Sequence, residues 1–214
     1  MTAGPVGNQY DKYGTDNPIA RSLVGRLRRT LDELIDLAGP ASILDVGCGE
    51  GVLSATWARR PGVERVVGVD VEDPGLRREW ARRTTRDLEL AAVRAGEALP
   101  FPDRSFDLVA AVEVLEHAAD PERLLAELAR CARTHVLISV PREPLWRALN
   151  LARGAYWGSL GNTPGHRHHF SARRLAEIGV RHGAIRARRA PAPWLALLLE
   201  RPPQAASAAA AISR

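Results

Sequence analysis

Lysine is almost missing from this chain of 214 residues: Lys12 is the only one, and arginine carries the net charge of +5. A basic balance admits nucleic acid or an anionic membrane surface as partner. The arginines are spread along the chain with acids interleaved, however, which is the pattern of a solvated mixed-charge surface. Cysteine is as scarce. Cys48 and Cys131 are the only two, and they fit neither a disulfide framework nor a metal-ligand spacing. A reducing cytoplasm is the expected compartment. No apolar run opens the chain, so no signal peptide is expected. The longest apolar runs, such as Trp194-Leu195-Ala196-Leu197-Leu198-Leu199, fall far short of the roughly 20 residues that cross a bilayer, so no membrane span is expected. Hydrophobic residues at 45% and charged residues at 26% are ordinary globular usage, which excludes disorder for the bulk. The length suits a single domain.

What stands out is one stretch with three alternate glycines: Ile43-Leu44-Asp45-Val46-Gly47-Cys48-Gly49-Glu50-Gly51-Val52. An apolar pair runs into a carboxylate, three alternate glycines follow, and a helix-like segment covers 52–59. That order predicts a buried strand, a tight loop and a helix start. Without Cβ atoms, Gly47, Gly49 and Gly51 can take φ > 0 and let a ligand lie against bare backbone, and helix N–H groups favour a ligand carboxylate. The loop is a near miss to the dinucleotide fingerprint G-x-G-x-x-G, with Val52 in the last slot. Asp45 would also repel a pyrophosphate. A ligand with one carboxylate, one ammonium and a ribose fits better, and S-adenosylmethionine (SAM) is such a ligand. An ordinary glycine-rich turn is the alternative.

Along the chain, residues 1–17 read as a loose segment with Tyr10 and Tyr13, either packed on the surface or forming a lid over a cleft. Asn17-Pro18 predicts a helix start, and Ile19, Leu23, Leu27, Leu31, Leu34 and Ile35 repeat at helical spacing until Gly39-Pro40. A buried-strand run, Val66-Val67-Gly68-Val69, ends in Asp70, where an acidic residue can accept two hydrogen bonds from a ribose diol. Asp73-Pro74 caps the next helix. Strands are predicted over 88–93, 106–112 and 135–140. A loop at 96–103 and Glu113-Val114-Leu115-Glu116-His117 follow two strand ends, and Asp120-Pro121 caps a further helix. Strands and helices in alternation predict a doubly wound, mostly parallel α/β sheet. Asp45, Asp70, Gly96 and Glu113 all fall at strand carboxyl ends, where such sheets bind ligands.

These segments, with Leu99-Pro100-Phe101-Pro102-Asp103-Arg104-Ser105-Phe106-Asp107-Leu108-Val109, resemble the small-molecule class I SAM-dependent methyltransferases, especially the group with the ubiquinone and menaquinone biosynthesis enzymes. The likeness covers roughly residues 40–142. It implies a Rossmann-like seven-stranded sheet with an antiparallel last strand, and SAM as methyl donor. By position it implies that Asp45 and the backbone of Gly47, Cys48, Gly49 and Gly51 hold the methionine end of SAM. Asp70 would bind the ribose hydroxyls, Val71 would lie beside the adenine, Gly96 and Glu97 would line the adenine pocket, and Glu113 would sit under the sulfonium region. Ala95 departs from the family pattern, which often has an acidic residue there for the adenine amino group.

The domain is expected over 18–200, with a substrate insertion near 142–170 and a flexible small-residue tail over 201–214. The resemblance implies that the insertion carries acceptor contacts; Trp157, His166 and His169 are the candidates there, beside Tyr10 and Tyr13. His117, after the fourth strand, either acts as general base or caps and packs the next helix. The spacing H-x-H-H at 166–169 matches no zinc pattern, and neither cysteine nor carboxylate stands beside it in the sequence, so no metal is expected. The expected reaction is methyl transfer to an O, N or C nucleophile of a small-molecule acceptor, with an apolar, lipid or glycosylated molecule suggested by the aromatic insertion. The rivals are a nicotinamide-dependent oxidoreductase and a SAM- or nucleic-acid-binding module. No RNA-binding signature and no Asn-Pro-Pro-Tyr motif supports the second, so no nucleic acid is expected. Oligomeric state is open.

Overall fold

The computed structural model describes residues 16–152, 158, 160–163 and 165–203. Tyr10, Tyr13 and Trp157, the lid segment up to residue 15 and the tail from residue 204 lie outside the described residues.

Helix α1 (Pro18–Ala38) begins where the side chain of Asn17 accepts the amides of Ile19 and Ala20, and ends at Gly39 in the left-handed region. Strand β1 (Ser42–Val46) runs through the glycine loop into the short helix α2 (Val52–Trp57). Strand β2 (Arg65–Val71), helix α3 (Pro74–Arg83), strands β3 (Leu88–Val93) and β4 (Phe106–Val112), helix α4 (Pro121–Cys131) and strand β5 (Ala132–Pro141) follow. The chain closes with α5 (Leu145–Ala152), α6 (Ala172–Gly179), β6 (Ala184–Arg189) and β7 (Trp194–Glu200). Asp73, Asp120 and Ser171 cap α3, α4 and α6 with side-chain oxygens that accept first-turn amides, the local hydrogen bonds that make these residues good caps.

The sheet has the order β3-β2-β1-β4-β5-β7-β6. Strands β1 to β5 pair in parallel, and β7 pairs antiparallel with both β5 and β6. The expected seven-stranded sheet with an antiparallel last strand is therefore the one observed. Alternate strand residues sort to opposite faces. Leu44, Val67, Val109 and Ile138 pack with α4 and α6 on one face; Ile43, Val66, Leu108 and Leu137 pack with Leu27, Leu31 and Leu34 of α1 and with Trp57 on the other. Both faces are covered, so the strands read as nearly unbroken apolar runs. The apolar stripe of α1 is buried from Val24 onward, whereas Ile19 in its first turn is exposed. Among the described residues no helix is long and apolar enough to cross a membrane.

The strand order reverses between β1 and β4. At such a switch point the connections leave in opposite directions and open a crevice beyond the carboxyl ends. Asp45, Asp70 and Glu113 stand at that edge.

Candidate active site

Asp45 is 2% exposed, and its Oδ2 accepts the Ser54 hydroxyl of α2 at 2.6 Å. Burial pushes its carboxyl up to about 7; the Ser54 bond opposes this and the charge of Asp70 adds to it. Asp70 is also raised, first by burial, against the amides that lower it. Its Oδ2 accepts Gly49 N–H and its Oδ1 accepts Val71 N–H, both at 2.7 Å. A carboxylate offers about four lone-pair sites, so both oxygens keep capacity for a diol after holding the loop in place. Two carboxylates with little water around them make a cleft that gains from a cation and rejects a pyrophosphate.

The glycine loop takes φ of 77°, 55° and 78° at Gly47, Gly49 and Gly51. Its amides are more committed than the sequence suggests. Gly47 and Cys48 N–H both donate to Val69 O of β2, and Gly51 N–H donates to Cys48 O. The loop is held from the far side by α3, where Trp80 Nε1 donates to Gly49 O and Arg83 Nε to Glu50 O, each at 2.8 Å. What the loop offers a ligand is therefore a close, fixed backbone surface rather than a row of free donors. Burial and the charges of Asp45 and Asp70 push the half-buried Cys48 thiol up, so it stays protonated and neutral.

Beyond Val71, a cavity of about 470 Å³ is lined by Glu72, Ala92, Val93, Arg94 and Glu97 among others, large enough for a planar base. Gly96, at φ 78°, makes the turn beside it. Glu97 carries a carboxylate to this cavity, and Arg94 stands 3.5 Å from it; both side chains are well exposed. Ala95 is exposed as well.

On the other side of the switch point, Glu113 adopts φ 58°, unusual for a side-chain-bearing residue. Its N–H donates to Ser139 O of β5, and its Oε1 accepts Trp194 Nε1 of β7 at 2.6 Å. Trp194 lies 5.7 Å from Trp146 of α5, ring centre to ring centre, and Trp146 stacks at 6.2 Å on His166. Trp146 Nε1 and Asn150 Nδ2 both donate to Thr163 Oγ1. The segment 165–170 docks on the segment after β4: Arg167 and His168 N–H both donate to Glu116 O. His117 Nδ1 is 3.0 Å from Gly165 O. A carbonyl only accepts, so Nδ1 carries a proton and donates it to Gly165 O.

His117 and His166 meet edge to face at 4.9 Å. Burial, then the His117 ring, lowers His166 to about 4, which leaves it neutral at physiological pH. His169 points elsewhere: its Nδ1 is 3.4 Å from Glu143 Oε1. The sequence reading gave no role to Glu116, Trp146 or Trp194. Glu116 is 1% exposed, and one ligand atom each from Glu116, His117 and His166 lie within 4.8 Å of one another. The absence of a carboxylate beside His166 in the sequence, the ground for expecting no metal, does not hold in space. The available signal was the Glu116-His117 pair just after a strand end. Nothing local pointed to the two tryptophans.

Residues 44–139 match the family described as "Methyltransferase domain". The ubiquinone biosynthesis O-methyltransferase of Neisseria meningitidis serogroup A is 33% identical over 106 residues, which are 48% of this chain and 44% of that protein. Nocamycin O-methyltransferase from Saccharothrix syringae is 33% identical over 129 residues, 58% of this chain and 43% of that protein. The chain thus spans less than half the length of these two relatives. The crystal structure of magnesium protoporphyrin IX methyltransferase from Synechocystis PCC 6803 with bound SAH superposes with a TM-score of 0.65 at 19% identity, covering 90% of this chain and 94% of that one; the likeness shows a shared fold. The matched segment runs from β1 into β5 and contains Asp45, Asp70 and Glu113 at their strand ends, so the part of the chain that is similar to the methyltransferase family is the part that builds this strand edge.

Proposed function

We propose that the chain transfers the methyl group of SAM to an O, N or C nucleophile of a small-molecule acceptor. The observation that carries this reading is the pair Asp45 and Asp70, both desolvated and both fixed at adjoining strand ends around the glycine loop. SAM supplies a methyl group already activated on a sulfonium. The work left to the protein is holding, alignment and exclusion of water. Asp70 accepts the ribose hydroxyls, Asp45 offsets the cationic methionine end, and the cavity at Val71, Ala92 and Glu97 takes the adenine. Glu113, fixed by Trp194, borders the place of methyl transfer. His117, His166 and the ring of Trp146 form the acceptor wall, and His117 is assigned to the acceptor's proton. Relatives that methylate small molecules support an acceptor of that class. Two buried acids facing the loop disfavour the pyrophosphate of a nicotinamide dinucleotide.

The test is calorimetric titration with SAM and NADH, followed by incubation of metabolite extracts with methyl-labelled SAM and mass identification of the labelled product. Micromolar SAM binding with a labelled small molecule is expected. NADH binding in preference to SAM overturns the reading.

Asp45 gives this reading a pH signature. A cation beside Asp45 favours its ionised form, so SAM affinity is expected to rise with pH as Asp45 loses its proton near pH 7. Below pH 7, binding should release a proton, seen as a buffer-dependent heat. The stability effect has the opposite sense. The folded pKa lies above the unfolded value of about 3.9, so between about pH 4 and 7 the unfolded chain gives up a proton that the folded one keeps. Stability from this group falls across that window and is level above it. Three pH units correspond to about 4 kcal/mol at most. Asp45→Asn is expected to stabilise the ligand-free protein at pH 8 by roughly 1–3 kcal/mol while weakening SAM binding and flattening its pH dependence. Denaturant melts at pH 5 and 8 read the first effect; an unchanged pH profile of binding counts against the assignment.

A further inference from the structure

The sheet edge opposite the glycine loop holds another cavity. It lies where β4, β5 and β6 begin and where the antiparallel β7 ends. Its volume is about 340 Å³, and Asp103, Arg104, Arg130, His182 and Arg201 are among its lining residues. Arg104 precedes β4, Arg130 stands in the last turn of α4, and Arg201 follows β7 directly. We propose that Arg104 and Arg201 form a binding site for a phosphate group in this cavity, away from the cleft assigned to SAM. The site does not rest on the methyl-transfer reading.

Three features carry this. The first is unmatched charge. Arg130 is answered by carboxylates, since Glu127 and Asp103 accept its N–H groups at 3.0 and 2.9 Å. Arg104 and Arg201 meet only backbone carbonyls among the described residues: Arg104 donates to Arg133 O and Pro202 O, and Arg201 to His182 O. The second is a buried donor. Arg201 Nε is closed off from solvent and has no hydrogen-bond partner among the described residues. An unmet N–H on a charged group is costly, and a small rotation of the guanidinium would bring it to an anion in the cavity. The third is the backbone of Arg104. It takes φ 53°, a left-handed conformation that a side-chain-bearing residue adopts at a cost and that gathers at binding sites. Its N–H donates to Arg130 O at 2.8 Å, which fixes this turn to α4.

The two guanidiniums also oppose each other. Burial, then the charge of Arg104, pushes Arg201 down, while Asp103 acts the other way. An anion between the two groups removes that repulsion. A phosphate has enough oxygens to face both guanidinium forks. Asp103 sets a limit on where it lies. Its carboxylate, held by Arg130, repels an anion, so the phosphate takes the side of Arg104 and Arg201. His182 is lowered first by burial and then by Arg201, so it stays neutral beside them. The cavity has room for a small phosphorylated molecule as well as for the free ion.

The experiment uses the full chain, with inorganic phosphate and ribose 5-phosphate each titrated by calorimetry and by thermal melting. Sodium chloride holds the ionic strength constant, because salt alone screens a basic surface. Saturable binding of one equivalent per chain is expected, with a melting temperature that rises and levels off. Arg201→Met and Arg104→Gln should each weaken binding by about tenfold or more. Arg201→Lys keeps the charge without the fork and should fall between. Arg188→Gln, exposed on β6, should bind as wild type does. Circular dichroism confirms folding, and Arg104→Gln decides the matter if Arg201→Met does not fold. Tighter binding of the sugar phosphate marks the occupant as a phosphorylated molecule, and equal binding marks it as the free ion; both sustain the site. Absence of saturable binding, a melting shift that chloride reproduces, binding that Arg201→Met and Arg104→Gln both retain, or a loss in Arg188→Gln overturns it.

Discussion

Asp70→Ala is expected to lower SAM affinity by roughly two to four orders of magnitude. The estimate is two charge-assisted hydrogen bonds to the ribose at about 1.5–3 kcal/mol each. The same side chain also fixes the loop, because its Oδ2 accepts Gly49 N–H and its Oδ1 Val71 N–H. Alanine frees both amides, so the loss falls on the shape of the glycine loop as well as on the ribose. Asp70→Asn keeps one acceptor oxygen and should lose roughly tenfold, between wild type and alanine. The measurement is calorimetry with SAM and with its demethylated product, on protein whose melting curve shows it folded. Binding of the alanine variant within threefold of wild type would remove the ribose assignment, and with it the main support for the cofactor geometry.

The second large effect is expected at Gly47. Its φ of 77° is a conformation that costs a side-chain-bearing residue about 1–2 kcal/mol. A Cβ there would stand 2.4 Å from Val114 Cγ2 and 3.1 Å from Val114 Cγ1. Val114 is the residue after Glu113, so the glycine is what allows the β1 loop and the β4 end to touch. Gly47→Ala should destabilise the fold by about 2–4 kcal/mol and weaken SAM by more than tenfold, since Cys48 and Gly49 must move with it. The two causes are separable. Adding Val114→Ala removes the clash but leaves the backbone strain, so the double variant should recover part of the stability and not all. Urea melts give both numbers. A single variant within about 0.5 kcal/mol of wild type would show that the loop is softer than its geometry indicates. Gly51 faces Leu90 of β3 in a similar way, with a Cβ contact of 2.8 Å, but there the nearest atom is the tip of a flexible leucine and the expected cost is smaller.

Much of the strand-end half of the candidate site was legible in the sequence. Leu44-Asp45-Val46-Gly47 announces a strand that ends on a carboxylate and a glycine, and both features are local. Asn17, Asp73, Asp120 and Ser171 cap where their sequence context predicts, since a cap needs only the amides of its own next turn. The half around His117 was hardly legible. His166 reads as one of several loop histidines, and Glu116 as a side chain next to a histidine. The tryptophan that fixes Glu113 sits on the last strand, and the histidine H-x-H-H cluster divides in space: His166 faces His117, while His169 faces Glu143.

The sequence by itself determined the parallel core, the order of its strands along the chain, the helix ends and the acids at the strand tips. Hydrophobic periodicity, glycine φ and capping hydrogen bonds act over a few residues and leave their mark in composition. The tertiary structure alone decided how deeply those acids are buried, which amides of the glycine loop are already engaged, and which side chains gather around His117. Burial of Asp45 is a property of the closed sheet. Trp194 reaches Glu113 only because β7 enters antiparallel between β5 and β6. Glu116 meets His166 only because an irregular turn is held by hydrogen bonds to a distant carbonyl, and bonds of that kind follow from packing rather than from any spacing along the chain.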